Sequence, residues 1–177
     1  APISSKADMY LDDNNEVIRG LSQNGALAVG VPGTIAGLFE IHDKFGTIPI
    51  KELFQPAIDL ANNGYKLTTN QVNTINNYKD LILKLNDSID LFNKTFKKDD
   101  LFINKSLAKT LTAISNKGVD EFYEGEIANT LSSYIIKKGG IISKEDFALY
   151  KPIWRESLEL KYKNLNIITM GPPSSGG

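Results

Sequence analysis

The sequence predicts an α+β chain, predominantly helical, with strands near both ends. Three observations predict it. Apolar residues recur at helical spacing across about residues 34–150, and between Leu158 and Tyr162 they alternate with polar ones. Glycine, proline and asparagine punctuate these segments, with no internal repeat and no low-complexity linker. At 177 residues and 41% hydrophobic content, the chain is sized for one domain, or one large piece of a bigger one. It carries enough apolar residues for a core, which excludes a disordered chain.

The elements follow in order. The opening Ala1-Pro2-Ile3-Ser4-Ser5-Lys6 has no apolar signal region and no initiating Met, and reads as a boundary left by processing or cloning. Asp12 to Asn15 forms a polar turn, and Gly25 to Val31 looks like a buried strand stopped by Pro32-Gly33. From Thr34, the spacing of Ile35, Leu38, Phe39 and Phe45 predicts a helix ending at Gly46. Pro49 suits a first helical turn, and a second helix carries Leu53, Phe54, Ala57, Ile58, Leu60 and Ala61. Pro56 inside it implies a kink or break, and Gly64 supplies a left-handed stop. A polar helix follows from Thr69 to about Leu85, whereas Asn86 to Leu101, with Phe92 and Phe96, has no clear period.

Asn104 is placed to cap a helix that runs to Gly118, and another is expected from Val119 to Lys138, with Ile127, Leu131 and Ile135 four apart. Ser143 to Asp146 resembles a capping box opening a short helix to Tyr150. Leu158, Leu160 and Tyr162 then pair with Ile167 and Ile168 in a hairpin turning at Asn164, over about residues 157–170. Two strands alone are marginal in water, so this hairpin reads as an incomplete sheet. Residues 1–177 are expected to form a single incomplete domain.

Composition narrows the function. Twenty basic residues against twenty-one acidic ones leave a net charge of -1, and Arg19 and Arg155 are the sole arginines. That balance provides no footprint for nucleic acid or an anionic membrane, and no apolar run reaches the roughly 20 residues of a membrane span. With no Cys and one His, thiolate chemistry, disulfides and multi-His metal sites are excluded. His42 sits beside Asp43 with no local nucleophile and reads as a helix-surface residue. Gly30-Val31-Pro32-Gly33 before a helix resembles a phosphate cradle but lacks a P-loop ending and the dinucleotide spacing; tight packing and positive φ are the better explanation of its glycines. Glu121, Glu124 and Glu126 read as the solvated face of one helix, and Lys97 to Asp100 as a charged loop. Ser174-Ser175-Gly176-Gly177 is the most suggestive string, because small residues let backbone approach a ligand, although many turns look alike. The residues by themselves define no self-sufficient active site.

Four strings together resemble the large subunit of the γ-glutamyltranspeptidases. They are Leu27 to Gly37; Lys44 to Thr47 with Gln55 to Ala61; Glu121 to Ala128 with Gly139 to Asp146; and Met170 to Gly177. Asp8-Met9-Tyr10-Leu11-Asp12 precedes them in family order, and the similarity is weakest from about Thr69 to Lys98. The resemblance implies a piece of an Ntn-hydrolase, a four-layer αββα fold matured by autocatalytic cleavage of a zymogen. It implies transfer of the γ-glutamyl group of glutathione, or a related compound, to water, amino acids or peptides. The nucleophile would be the N-terminal Thr of the small subunit, which acts through its own α-amine and requires no cofactor. That small subunit would be the chain's partner. A periplasmic or secreted location is the family's pattern. The family Arg that holds the substrate carboxylate lies in an Arg-Glu-x-Ala-Pro string of which Ala1-Pro2 matches the last two letters, and neither Arg19 nor Arg155 occupies its place. No family catalytic residue is therefore carried onto this sequence, and the isolated chain is expected to be inactive. Pro172 to Gly177 would line the pocket beside the small subunit, with Ser174 and Ser175 as its wall. A sister Ntn-hydrolase, of the cephalosporin acylase or capsule depolymerase type, and a non-catalytic helical packing fragment are the competing readings.

Overall fold

The computed structural model describes residues 1–87 and 89–172. Their helices are α1 (Thr34–Phe45), α2 (Ile50–Asn63), α3 (Thr69–Leu85), α4 (Lys105–Lys117), α5 (Val119–Tyr123), α6 (Glu126–Lys137) and α7 (Lys144–Ala148). Strands β1 (Tyr65–Lys66) and β2 (Leu101–Phe102) form one antiparallel pair, and β3 (Leu158–Tyr162) and β4 (Leu165–Thr169) another.

Local chemistry sets most helix ends. Thr68 and Gln71 form a reciprocal capping box at α3, the Asn104 side chain accepts from the Leu107 amide at α4, and Ser143 and Asp146 form the expected box at α7. Gly64 ends α2 at φ 84°, a conformation that side chains resist. Helix α2 runs unbroken through Pro56, so the predicted break does not occur. It packs along α4, and the Asn104 amide donates to the Ala61 carbonyl at its end; tertiary support outweighs the one lost ladder bond.

Two further expectations are corrected. Gly25 to Val31 is no strand: Ala26–Ala28 form a 3-10 turn, and Val29 and Gly30 are exposed. A strand needs a ladder partner, and among the described residues near the start the sole pairing is the Leu11–Val17 bridge. The single helix expected from Val119 to Lys138 is divided at Glu124-Gly125, where both amides turn back to the Asp120 carbonyl. The stretch from Thr34 to Tyr150 is mainly helical as expected, with the two short strands β1 and β2 inside it. The hairpin turns at Lys163-Asn164 as expected, with Lys163 at φ 56°. The unassigned stretch resolves around Phe96, which is 1% exposed. The Asn76 side chain donates to its carbonyl at 3.0 Å and accepts from its amide at 3.2 Å, taking the place of a partner strand.

Two cores result. The larger gathers Ala36, Tyr123, Ala128, Ile135, Ile142 and Phe147, and the smaller Leu67, Val72 and Phe96. The surface amounts to 12811 Å², against about 8,500 Å² for a compact monomer of this mass. Much of the difference is apolar. Leu158, Leu160, Tyr162, Leu165 and Ile167 share one exposed hairpin face, and an apolar cleft of about 470 Å³ opens between α1 and α2 beside Leu38, Ile41, Phe45 and Leu53.

The larger core is tied to α1 by one phenol. Tyr123 donates to the Pro32 carbonyl at 2.7 Å and accepts from the Ala36 amide at 3.1 Å. Tyr123→Phe should leave two buried backbone groups unpaired and destabilise the protein by about 1–3 kcal/mol. Chemical denaturation would check this; a variant within about 0.5 kcal/mol of wild type would refute it.

Candidate functional site

Residues from the start of the chain and from the stretch Asp146 to Arg155 line one polar pocket. At one end the Ile3 amide donates to Asp146 Oδ1 at 2.6 Å, across 143 positions of sequence. Asp146 is 5% exposed, and its other oxygen accepts from the Ser143 amide at 2.7 Å and hydroxyl at 2.8 Å. The carboxylate therefore caps α7 and holds the N-terminal arm together. At the other end Arg155 Nη1 donates to the Pro172 carbonyl at 3.4 Å. Ala1, Ile3, Asp146, Tyr150, Lys151 and Arg155 line the pocket between them, of about 440 Å³. A second recess, sharing Ile153 and Arg155, continues along Ser157, Met170 and Gly171.

Electrostatics agree with this geometry. Burial works to raise the Asp146 pKa, but the bonds from Ile3 and Ser143, with the α-amino group of Ala1, hold the carboxyl below its usual 3.8. Burial also pushes the Tyr123 phenol above its ordinary value, against the opposing bond from Ala36. Lys151 and Arg155 give the pocket two exposed cationic groups. It suits an anionic or polar guest. Among the described residues no group of three or more His, Cys, Asp or Glu is placed to hold a metal, and no helix is long and apolar enough to cross a membrane.

The sequence candidates fall as follows. Ser174 and Ser175 lie outside the described residues, two and three positions beyond Pro172. His42 lies on α1, with Nε2 2.7 Å from the Ile48 carbonyl, as expected of a helix-surface histidine. Gly30 and Gly33 make no cradle: the Tyr123 hydroxyl already takes the Ala36 amide, and the Gly37 amide returns to Gly33. Neither glycine has positive φ; Gly33 sits at φ -108°, and a Cβ there would collide with the Tyr150 hydroxyl, whereas Gly30 has open space. The three glutamates do not share a face. Glu121 is 9% exposed and paired with Lys117 at 3.0 Å, while Glu124 and Glu126 are exposed beyond the helix break. Asp99-Asp100 is more than a charged loop, since Asp100 accepts from the Lys97 amide and its carbonyl receives the Leu67 amide. Sequence reading missed the pocket itself. The capping box revealed one oxygen of Asp146; nothing local marks the partner of the other.

Comparison with known proteins is uniform. A model of the family described as gamma-glutamyltranspeptidase matches residues 1–177. The glutathione hydrolase proenzyme of Pseudomonas aeruginosa is 40% identical over 186 residues, covering all of this chain and 32% of that protein. The crystal structure of Helicobacter pylori gamma-glutamyltranspeptidase superposes with a TM-score of 0.94 at 40% identity, over 99% of this chain and 51% of that one. A cephalosporin acylase from Bacillus halodurans is more distant, at 26% identity and a TM-score of 0.77 over 84% of this chain. The chain thus spans about a third of the curated relative and about half of the solved neighbour.

Two predictions follow from the site's geometry. Gly33→Ala should destabilise the protein by about 1–3 kcal/mol through overpacking against Tyr150, while Gly30→Ala should stay within about 0.5 kcal/mol; equal effects in thermal melts would contradict the assignment. The Asp146 carboxyl titrates lower when folded than unfolded, so its stabilisation is complete above the unfolded value near 3.8 and is lost as pH falls through the lower folded value. The melting-temperature gap between wild type and Asp146→Asn should therefore be constant near neutrality and close in acid. A gap that widens in acid would refute this.

Proposed function

Because this chain belongs to the gamma-glutamyltranspeptidase family, we propose that it is part of the large subunit of a precursor that transfers γ-glutamyl groups to water or to amino acids and peptides. The observation that carries the reading is likeness along the entire chain, at 40% identity and a TM-score of 0.94. Glutathione or another γ-glutamyl compound is the donor. The nucleophile is an N-terminal Thr of the small subunit, whose α-amine takes the hydroxyl proton as the acyl-enzyme forms. No Cys and no second imidazole are needed, in keeping with this composition.

In this reading the chain supplies scaffold. The hairpin's apolar face and the α1–α2 cleft are covered by other parts of the same precursor, whose curated relative is about three times as long. Ser174 and Ser175 are assigned, in this reading, to the wall of the reacting centre beside the small subunit. A periplasmic or secreted location accompanies the reading. The acylase alternative draws on weaker likeness, 26% identity.

The 177-residue chain alone should release no anilide from a γ-glutamyl anilide above background, whereas the full precursor should cleave itself and turn the substrate over. Steady release by the repurified chain would sink the division of labour. A full precursor that neither matures nor turns over would sink the function.

A further inference from the structure

We propose that residues 65–102 form a flap that opens as one unit, hinged where β1 pairs with β2 and latched to the end of α6 by a single polar cluster. The flap carries its own core. Leu67, Val72 and Phe96 are buried together, Ile75 and Phe102 pack against them, and none of these belongs to the larger core. Its base is narrow. β1 and β2 pair over two residues each; beside them the Leu67 amide donates to the Asp100 carbonyl at 3.0 Å, and the Asp99 amide to the Leu67 carbonyl at 2.9 Å. Gly64 at φ 84° and Asp99 at φ 67° turn the chain on either side of this ladder.

Away from that base one cluster holds the flap down. Among the described residues, every hydrogen bond from residues 65–102 to the rest of the chain runs between Asn86 or Asp87 and the end of α6. The Asp87 amide donates to the Tyr134 hydroxyl at 3.1 Å, and that hydroxyl donates to Asn86 Oδ1 at 3.5 Å. Lys137 and Lys138 donate to the two carboxylate oxygens of Asp87 at 3.2 and 2.7 Å. The bonds from Lys138 and then Lys137 hold the Asp87 carboxyl below its usual 3.8. The Asp87 side chain is 52% exposed, so salt screens this attraction. A segment with its own core, a two-residue ladder and one exposed latch opens more readily than the protein as a whole. Ionic strength, or a change of charge at Asp87, Lys137 or Lys138, thereby sets how often the flap detaches. The assignment is independent of the proposed γ-glutamyl chemistry.

The test is amide hydrogen exchange on the full-length precursor, in low salt and in about 1 M NaCl, where the screening length falls to about 3 Å. Helix α4 serves as the internal reference for the effect of salt on exchange itself. In high salt the amides of α3 and of Phe96 should exchange about two- to tenfold faster, by a common factor, relative to those of α4. Asp87→Asn in low salt should reproduce those rates and abolish the salt response. Lys137→Gln combined with Lys138→Gln should do the same from the other side of the latch, and decides the matter should the Asn variant fail to fold. Val72→Ala weakens the flap's own core and spares the latch, so it should speed the same amides and keep the salt response. Unchanged α3 rates in both charge variants overturn the latch. Acceleration confined to the last turn of α3 is fraying and overturns the single unit. Equal acceleration in α4 overturns its separateness from the rest of the fold.

Discussion

The Tyr123 hydroxyl, held between the Pro32 carbonyl and the Ala36 amide, is the constraint on which the larger core depends. It brings a phenol from the five-residue α5 to the first turn of α1, where amides otherwise lack partners. Once the ring is fixed, its neighbours follow. Tyr150 stacks on it with planes 9° apart, Phe122 meets it edge-on, and Phe147 lies tilted at 51°. The stacked Tyr150 then fills the space where a side chain at position 33 would lie, which is why a glycine stands there. Beside a string resembling an anion cradle, tyrosine thus takes the Ala36 amide of the following helix start. What resembles a ligand motif in sequence is a packing motif in space.

The same core leaves one side of the molecule unfinished. Helix α1 buries Ala36 against Tyr123, but its larger apolar residues Leu38, Ile41 and Phe45 face an open cleft, and Phe45 is 64% exposed. On the far side Trp154 reaches back to α1, donating to Glu40 at 2.9 Å beneath the Lys44 ammonium. Beyond it the hairpin pairs Leu160 with Ile167 and Tyr162 with Leu165 on a face that the described residues leave exposed. At roughly 25 cal/mol per Å², such faces are costly to leave wet. They indicate a segment shaped for further packing, in line with a family whose members are two to three times longer.

What the sequence disclosed was local. The bounds of α3, the Asn104 cap and the Ser143–Asp146 box depend on residues within four positions of each other, and all were legible. Pairings across the chain were not. Asn76 clamps Phe96 from twenty residues away, and neither composition nor period marks it. Gly25 to Val31 has strand-like residues, but residue preference cannot supply a ladder partner. Glu121 looked solvated because helical spacing says nothing of a break at Gly125; that break puts the carboxylate against the glycine, where a Cβ would collide with it. Of the candidate site, Asp146 was visible as a cap, while its bond to Ile3 could come only from the fold.

The two walls of the pocket differ in strength, and the difference has a physical origin. A buried carboxylate accepting an amide at 2.6 Å is a charge-assisted bond within a satisfied cluster, short and directional. The Arg155–Pro172 bond is exposed and 3.4 Å long, at the edge of useful hydrogen-bond geometry, and water competes for both groups. The start of the chain is therefore held to the core through α7, whereas Pro172 is only loosely tied at Arg155. Two strands alone are marginal in water, so order on that side draws on packing over the apolar face of β3 and β4.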